Sequence, residues 1–242
     1  MKQLLLIGLV LLNYTVNAQI EITEKEEPEI KEIMITPVKV SNNEIYFVSN
    51  WSNTNRSLSV NEGLFADSLG DRANEVNLNT WSFGLGLRNR LHKHFGWEGG
   101  IWFLRNGESY NFEDTDTAYM YNTTYSYIGM PVKASFLYGE DIQLIASAGV
   151  IPQMFMRYKQ DIEYTDSQNT TTKESVKTNS GYNSFVMSAV FNVGGKVKFG
   201  NRWSLIVLPE YRLQLNSSYQ KTDSYIHKGR AFGVTFGLTM SL

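Results

Sequence analysis

From Glu44 to the C-terminus, apolar residues alternate with small or polar ones at a period of two. The clearest case is Phe232–Leu242, in which every second residue is apolar and the residues between them are Gly, Thr or Ser. A helix would scatter these side chains around its axis, whereas a strand places them on two separate faces. The pattern therefore predicts a β-strand that has one apolar face.

Seven earlier segments follow the same rule. The first, near Glu44–Ser52, is short, and the third, roughly Phe95–Ser109, alternates less regularly. In the remaining segments the alternating apolar positions begin at Trp81, Ile128, Leu144, Phe185 and Trp203. The sequence thus predicts an all-β chain of eight strands.

The connections between these strands are alternately short and long. Three are predicted to be tight turns: His92–His94, Gly139–Asp141 and Gly200–Arg202. Four are predicted to be long and polar: Asn53–Asn79, Asn106–Ala118, Lys159–Tyr182 and Asn216–Lys228. This is the layout of an eight-stranded antiparallel transmembrane up-and-down β-barrel, with short periplasmic turns, long extracellular loops and both termini in the periplasm.

The charged residues of the strands share one face with small and polar residues. They are predicted to form a structural charge network inside the barrel: Arg88, Glu98, Lys133, Lys196, Lys198, Glu210 and Arg212. The expected pairs set Glu98 and Glu210 against Lys133, Lys196 and Arg212. The opposite face is almost uncharged and long enough to cross a membrane when the strands are tilted. The alternative is a soluble sandwich whose polar face meets water.

The N-terminus reads as an export signal. Met1–Ala18 has a lysine near its start, the uncharged run Leu4–Leu12 and a small residue at its end. The run would make about 13.5 Å of helix, less than half of a hydrocarbon core of about 30 Å. Residues 1–18 are therefore predicted to be a signal peptide, residues 19–43 an acidic periplasmic linker, and residues 44–242 an outer-membrane β-barrel domain of a Gram-negative bacterium.

The composition excludes several classes of function. Lys and Arg number 22 against 24 Asp and Glu, which gives a net charge of −2 and argues against a nucleic-acid partner. The chain has no cysteine, so it has no disulfide, thiolate metal site or cysteine nucleophile. It has no Walker loop and no dinucleotide fingerprint, so we expect no cofactor.

The chain resembles the PorT-type outer-membrane β-barrel family of Gram-negative bacteria. The resemblance lies in Tyr127–Lys133, in the glycine-alternating sixth segment, in Pro209–Arg212 and in the ending Gly233–Leu238, and it covers about Glu44–Leu242. Gly129 stands where the family usually has an acidic residue. The resemblance implies an eight-stranded barrel and, through the founding member of the family, a part in type IX protein secretion. It implies no active site.

The three histidines offer the only hints of site chemistry. His92 and His94 lie in a predicted turn, without an identifiable third metal ligand. His227 lies near Asp223 and Ser224 in the last long loop, and these three residues are the one candidate set for a hydrolase. We expect neither group to be functional, so the sequence predicts no catalytic, cofactor-binding or metal site.

The number of strands bears on the function. An eight-stranded barrel is just filled by its own side chains, so we expect no nutrient-sized pore. The expected function is a non-enzymatic structural or accessory subunit of a larger envelope complex for secretion or assembly, in contact with outer-membrane lipid and with other outer-membrane or periplasmic proteins. The alternatives are a narrow channel or small-ligand carrier and, third, a hydrolase with its site at the outer rim.

Overall fold

The computed structural model describes residues 43–61 and 72–242, and all regular secondary structure in these ranges is β. The strands are β1 (Asn43–Val60), β2 (Glu75–Arg90), β3 (Phe95–Glu113), β4 (Ala118–Gly129), β5 (Val132–Gly139), β6 (Ile142–Thr165), β7 (Thr171–Thr178), β8 (Phe185–Lys198), β9 (Trp203–Gln214) and β10 (Tyr225–Ser241). Within the same ranges, no helix is long and apolar enough to cross a membrane. The predicted signal peptide and linker lie outside the described residues, apart from Asn43, which begins β1.

The strands close into one antiparallel ring. β1 pairs with β2, β2 pairs with β3, and β10 pairs with both β9 and β1. Two positions in the wall are each filled by two successive strands, β4 then β5 and β7 then β8, because both members of each pair hydrogen-bond to β6. The wall therefore has eight positions, and the predicted eight-stranded antiparallel up-and-down barrel is confirmed.

A proline divides the fourth position of the wall into β4 and β5. Pro131 has no N–H to donate to the ladder, so regular pairing stops there. The neighbouring amide of Met130 still donates to the carbonyl of Pro152 on β6, at 2.9 Å. Both strands also pair with β3, so the wall stays continuous across the break.

The two ends of the barrel differ. Residues 91–94, 140–141 and 199–202 make the connections at one end, here called the short-turn end. Gly139 precedes one of these turns with a φ of 106°, a conformation that favours glycine. The opposite end, here called the long-loop end, carries the connections 114–117, 166–170, 179–184 and 215–224, and β1 ends and β2 begins there.

Strands extend into the predicted long loops, which corrects the sequence-based boundaries. β1 continues to Val60 and β6 continues to Thr165, well beyond the predicted loop starts at Asn53 and Lys159. The predicted loop Lys159–Tyr182 contains all of β7. These extensions are rich in Thr, Ser and Lys, so they lack the apolar alternation on which the prediction relied, although Thr favours strands.

The two faces of the wall are chemically distinct. Outward side chains in the middle of the barrel are apolar and exposed; Phe236 is 46% exposed, Leu205 50% and Phe191 51%. The inward neighbours of these residues are polar and buried, as Thr235 and Ser204 illustrate at 1% and 4%. A barrel with an apolar exterior and a polar interior has the reverse of the arrangement that a water-soluble domain needs.

Large aromatic side chains fill the interior where the wall has glycines. The indole of Trp102 on β3 lies over Gly84 on β2, where even a Cβ atom would overlap the ring. The phenol ring of Tyr46 on β1 covers Gly86 in the same way. Both rings are 2% exposed. Small residues in one strand thus make room for large ones from its neighbours.

Candidate functional site

A cluster of buried ion pairs occupies the interior near the short-turn end. Glu98 on β3 lies at its centre: its Oε1 accepts a hydrogen bond from Arg88 Nε at 3.0 Å, and its Oε2 lies 2.7 Å from Lys133 Nζ. The hydroxyls of Ser135 and Ser147 also donate to Glu98. All five side chains come from four neighbouring strands, and their inward positions follow from the period-two pattern.

Glu44 extends this cluster across the closing seam of the barrel. Its Oε2 lies 3.2 Å from Arg88 Nη1, and its Oε1 accepts a hydrogen bond from Lys196 Nζ on β8. Glu44 is not among the predicted network residues. The only sequence signal for it is weak: Glu44 shares the inward face of β1 with the polar Asn50 and Ser52, but Tyr46 and Val48 lie on the same face.

A second cluster lies in the interior on the long-loop side of the first. Glu210 Oε1 lies 3.3 Å from Arg212 Nε, and Thr235 donates to Glu210 Oε2 at 3.1 Å. Arg212 also donates to Ser52 Oγ at 3.1 Å, and Asn50 donates to Thr235 at 2.9 Å. Every one of these side chains is less than 5% exposed.

The structure places six of the seven predicted network residues inside the barrel and one outside it. Arg88, Glu98, Lys133, Lys196, Glu210 and Arg212 are each at most 4% exposed. The prediction for Lys198 is wrong: its side chain is 45% exposed, and Nζ lies 3.9 Å from Asp141. Lys198 has the inward parity of Lys196, but it is the last residue of β8, where the wall no longer covers it.

Near the long-loop end, a third buried group surrounds Glu108. Tyr125 OH donates to Glu108 Oε1 at 3.0 Å, Arg56 Nη1 lies 3.4 Å from the same oxygen, and His227 Nε2 lies 3.5 Å from Oε2. His227 Nδ1 is buried without a hydrogen-bond partner.

Aromatic rings close the interior beside Glu108. The ring of His227 lies between those of Tyr125 and Tyr219, with centroids 4.7 and 4.9 Å away. Tyr182 adds contacts with Tyr158, at 5.2 Å, and with Tyr219, at 5.8 Å. At such separations the rings pack against one another.

The wall between β1 and β2 is held at the long-loop end by arginines. Arg72 donates to the carbonyls of Leu58 and Arg56, and its Nη2 lies 2.6 Å from Glu75 Oε2. Arg56 Nη2 lies 2.7 Å from the other oxygen of Glu75. Burial opposes ionisation of Glu75, but the hydrogen bonds from Arg72 and Arg56 outweigh it and lower the pKa of this carboxyl below its usual range.

The candidate hydrolase set is not assembled. His227 is 1% exposed, whereas Asp223 Oδ2 accepts from the amide of Gln220 and the carbonyl of Ser224 accepts from the amide of Asn61. His94 is also engaged, since its Nδ1 lies 3.0 Å from the carbonyl of Leu137 and its ring stacks on Phe136 and Tyr138. No group of three His, Asp or Glu residues that could hold a metal ion occurs in the described ranges.

The chain matches no protein-family model and no curated protein. Among solved structures it is similar to the attachment invasion locus protein Ail of Yersinia pestis, at 11% identity and a TM-score of 0.33, over 81% of this chain and 99% of that one. It is also similar to neisserial surface protein A, at 8% identity and a TM-score of 0.38, over 82% of this chain and 97% of that one. A third similar structure is the outer membrane protease OmpT from Escherichia coli, at 10% identity and a TM-score of 0.45, over 83% of this chain and 96% of that one. Identities and scores this low carry no functional argument. The resemblance to PorT-type barrels stays a prediction.

Proposed function

We propose that the chain is an integral outer-membrane β-barrel without chemistry of its own, which serves as a structural or accessory subunit of a larger envelope complex. One observation carries the proposal. The interior is filled from the Glu44 cluster to the tyrosines near Glu108, while the outward band is apolar and exposed. Such a barrel suits lipid outside and offers no path for solutes inside. The proposal includes an orientation in the membrane: the short-turn end faces the periplasm and the long-loop end is extracellular.

The channel alternative is tested by conductance. The full chain, refolded into planar bilayers, should give no reproducible nanosiemens steps, because paired charges and packed rings block the interior at three levels. A large porin inserted in the same bilayers serves as the positive control. Regular steps that depend on the amount of folded barrel would favour the channel.

The partner role is tested by photocrosslinking in cells. A photoreactive residue at Phe191, which is 51% exposed and borders an outward apolar groove of about 530 Å³, should capture neighbouring envelope proteins. The same residue at Val190, which is buried and points inward, is the matched control and should capture none. The partner role fails if Phe191 and outward positions on the other strands yield lipid adducts alone.

The hydrolase alternative rests on His227. Its ring is enclosed by Tyr125 and Tyr219, so a substrate could not reach it without displacing them. We expect His227→Gln to leave the envelope phenotype of the producing cells unchanged. Loss of that phenotype in a variant that still forms a heat-modifiable barrel would favour the hydrolase instead.

A further inference from the structure

A pocket opens in the outer face at the long-loop end, where one strand stops early. β9 ends at Gln214, whereas its neighbour β10 continues upward as far as Tyr225. Beyond the end of β9, a loop residue and the last side chain of β9 bond to β10 on the inner side: Ser218 N donates to the carbonyl of His227, and Gln214 Oε1 accepts from Gly229 N. On the outer side the early end of β9 leaves a pocket of about 390 Å³.

The lining of this pocket combines two cations with hydroxyls and leucines. Lys228 and Arg230 line it together with Ser57, Ser59, Leu213 and Leu215. The two cations point to the same side of β10, so their Cα atoms lie about 7 Å apart. In the described part of the chain, neither cation forms an ion pair with a carboxylate. As far as residues 43–61 and 72–242 show, the pocket therefore presents positive charge without a carboxylate partner, beside an apolar floor.

The pocket lies at the boundary of the outward apolar band. Arg230 is the next outward residue after Phe232, which is 64% exposed. On two other strands an arginine likewise follows the last outward apolar residues. On β3, Arg105 follows Phe103 and packs its guanidinium over that ring at 5.1 Å, and on β6 the exposed Arg157 follows Met154 and Met156. Arginines at this level mark the plane in which lipid headgroups meet the barrel.

We infer that the pocket binds the phosphate group of a phosphorylated lipid in the outer leaflet, of the lipid A class. Lys228 and Arg230 supply charge-assisted hydrogen bonds to the phosphate oxygens, and the hydroxyls of Ser57 and Ser59 add neutral donors. Acyl chains run down over Leu213, Leu215 and Phe232. This inference rests on the orientation given under Proposed function, since only an extracellular long-loop end meets the outer leaflet.

Native mass spectrometry of the full chain in detergent tests the inference. The ligands are lipid A, its dephosphorylated form and inorganic phosphate, each titrated separately. We expect the double substitution Lys228→Gln/Arg230→Gln to weaken lipid A binding roughly thirtyfold, from about 1 kcal/mol for each cation near a charged headgroup. Dephosphorylated lipid A should bind the unaltered protein as weakly as lipid A binds this variant.

Control variants separate a specific pocket from general charge. Lys93→Gln/Arg202→Gln removes the same charge from exposed positions at the short-turn end and should leave lipid A binding unchanged. Lys228→Arg/Arg230→Lys keeps the charge and should retain most of the binding. Each variant is first shown to form a heat-modifiable barrel.

Two outcomes overturn the inference. One is equal lipid A affinity in the unaltered protein and in Lys228→Gln/Arg230→Gln. The other is binding of inorganic phosphate as tight as that of lipid A, which would make the pocket a site for free phosphate. A non-conducting barrel that binds no lipid A loses this inference alone, whereas a conducting barrel that binds it loses the proposed function alone.

Discussion

Glu98 shows how single residues hold the interior together. One carboxylate, 1% exposed, forms ion pairs with both Arg88 and Lys133 and accepts hydrogen bonds from two serine hydroxyls. A buried charge that loses its partner cannot be rescued by water, so the loss costs more than the pair itself contributes. The stability of the interior therefore depends on complete sets of partners.

Glu98→Gln should destabilise the barrel by about 3–5 kcal/mol, because Lys133 loses its carboxylate partner while staying buried. The measurement is the free energy of unfolding from lipid vesicles in urea. The double variant Glu98→Gln/Lys133→Met is the control, since it removes the stranded charge and should recover part of the loss. Equal losses in the single and double variants would contradict this account.

The glycine opposite Trp102, Gly84, provides a packing test. Gly84→Ala should displace the indole and cost about 1–3 kcal/mol, because an added Cβ overlaps the ring in a filled interior. Gly195→Ala is the matched control, because the nearest atom to an added Cβ there, the carbonyl oxygen of Gln143, is 3.9 Å away. Near-ultraviolet circular dichroism should report the moved indole in the first variant only.

Parity along a strand predicted which charged residues point inward, but it could not show where the wall ends. Lys196 and Lys198 have the same parity, yet only Lys196 lies far enough from the end of β8 to be covered. Glu44 was missed for a related reason. The first segment is short and mixes Tyr46 and Val48 with polar inward residues, so its alternation does not reveal which face is internal.

At the scale of whole strands, the sequence predicted the outward apolar band well and the extensions beyond it poorly. Within the band, one face must be apolar and the other polar, so hydropathy alternates. Beyond the band, as in β7, both faces are exposed and carry Thr, Lys and Glu, so alternation disappears although the strand continues. Pairing with β6, which hydropathy does not encode, defines β7.

Acid should loosen the long-loop end of β1 and β2. The pKa of folded Glu75 lies below its ordinary value of about 4.3, so its contribution to stability is complete above that pH and is lost as the pH falls through the lower folded value. Protonation weakens its hold on Arg56 and Arg72. Amide hydrogen exchange in Leu58–Val60 should therefore accelerate on acidification, beyond the intrinsic effect of pH.

Substitution of Glu75 tests the cause of this change. In Glu75→Gln, the amides of Leu58–Val60 should exchange rapidly at neutral pH, and their exchange should show no acceleration on acidification beyond the intrinsic effect of pH. Glu113→Gln alters an exposed glutamate on β3 that belongs to no ion pair in the described structure, and it should keep the acid response. If both variants retain the acid response, a group other than Glu75 controls the loosening of β1 and β2.

At the scale of the whole molecule, the apolar exterior makes a depth-dependent prediction. Phe236→Arg, in the middle of the outward band, should cost about 2–4 kcal/mol of folding free energy in lipid, whereas Ile142→Arg, at the short-turn boundary, should cost about 0–1. Heat-modifiability gels and urea unfolding from vesicles measure both. A larger cost at Ile142 would mean that the band is not centred where the exposed apolar side chains place it.

The pairing of the first strand with the last has a consequence for biogenesis. β1 and β10 match over their full length, from Glu44 opposite Ser241 to Val60 opposite Tyr225, and the amide of Leu242 donates to the carbonyl of Asn43. These contacts join the extremes of the domain, so the contact order is high and closure is slow. A nascent polypeptide cannot complete its cylinder before the final residues emerge. Until then its lipophilic stripes and its unpaired strand edges are not covered by the barrel itself.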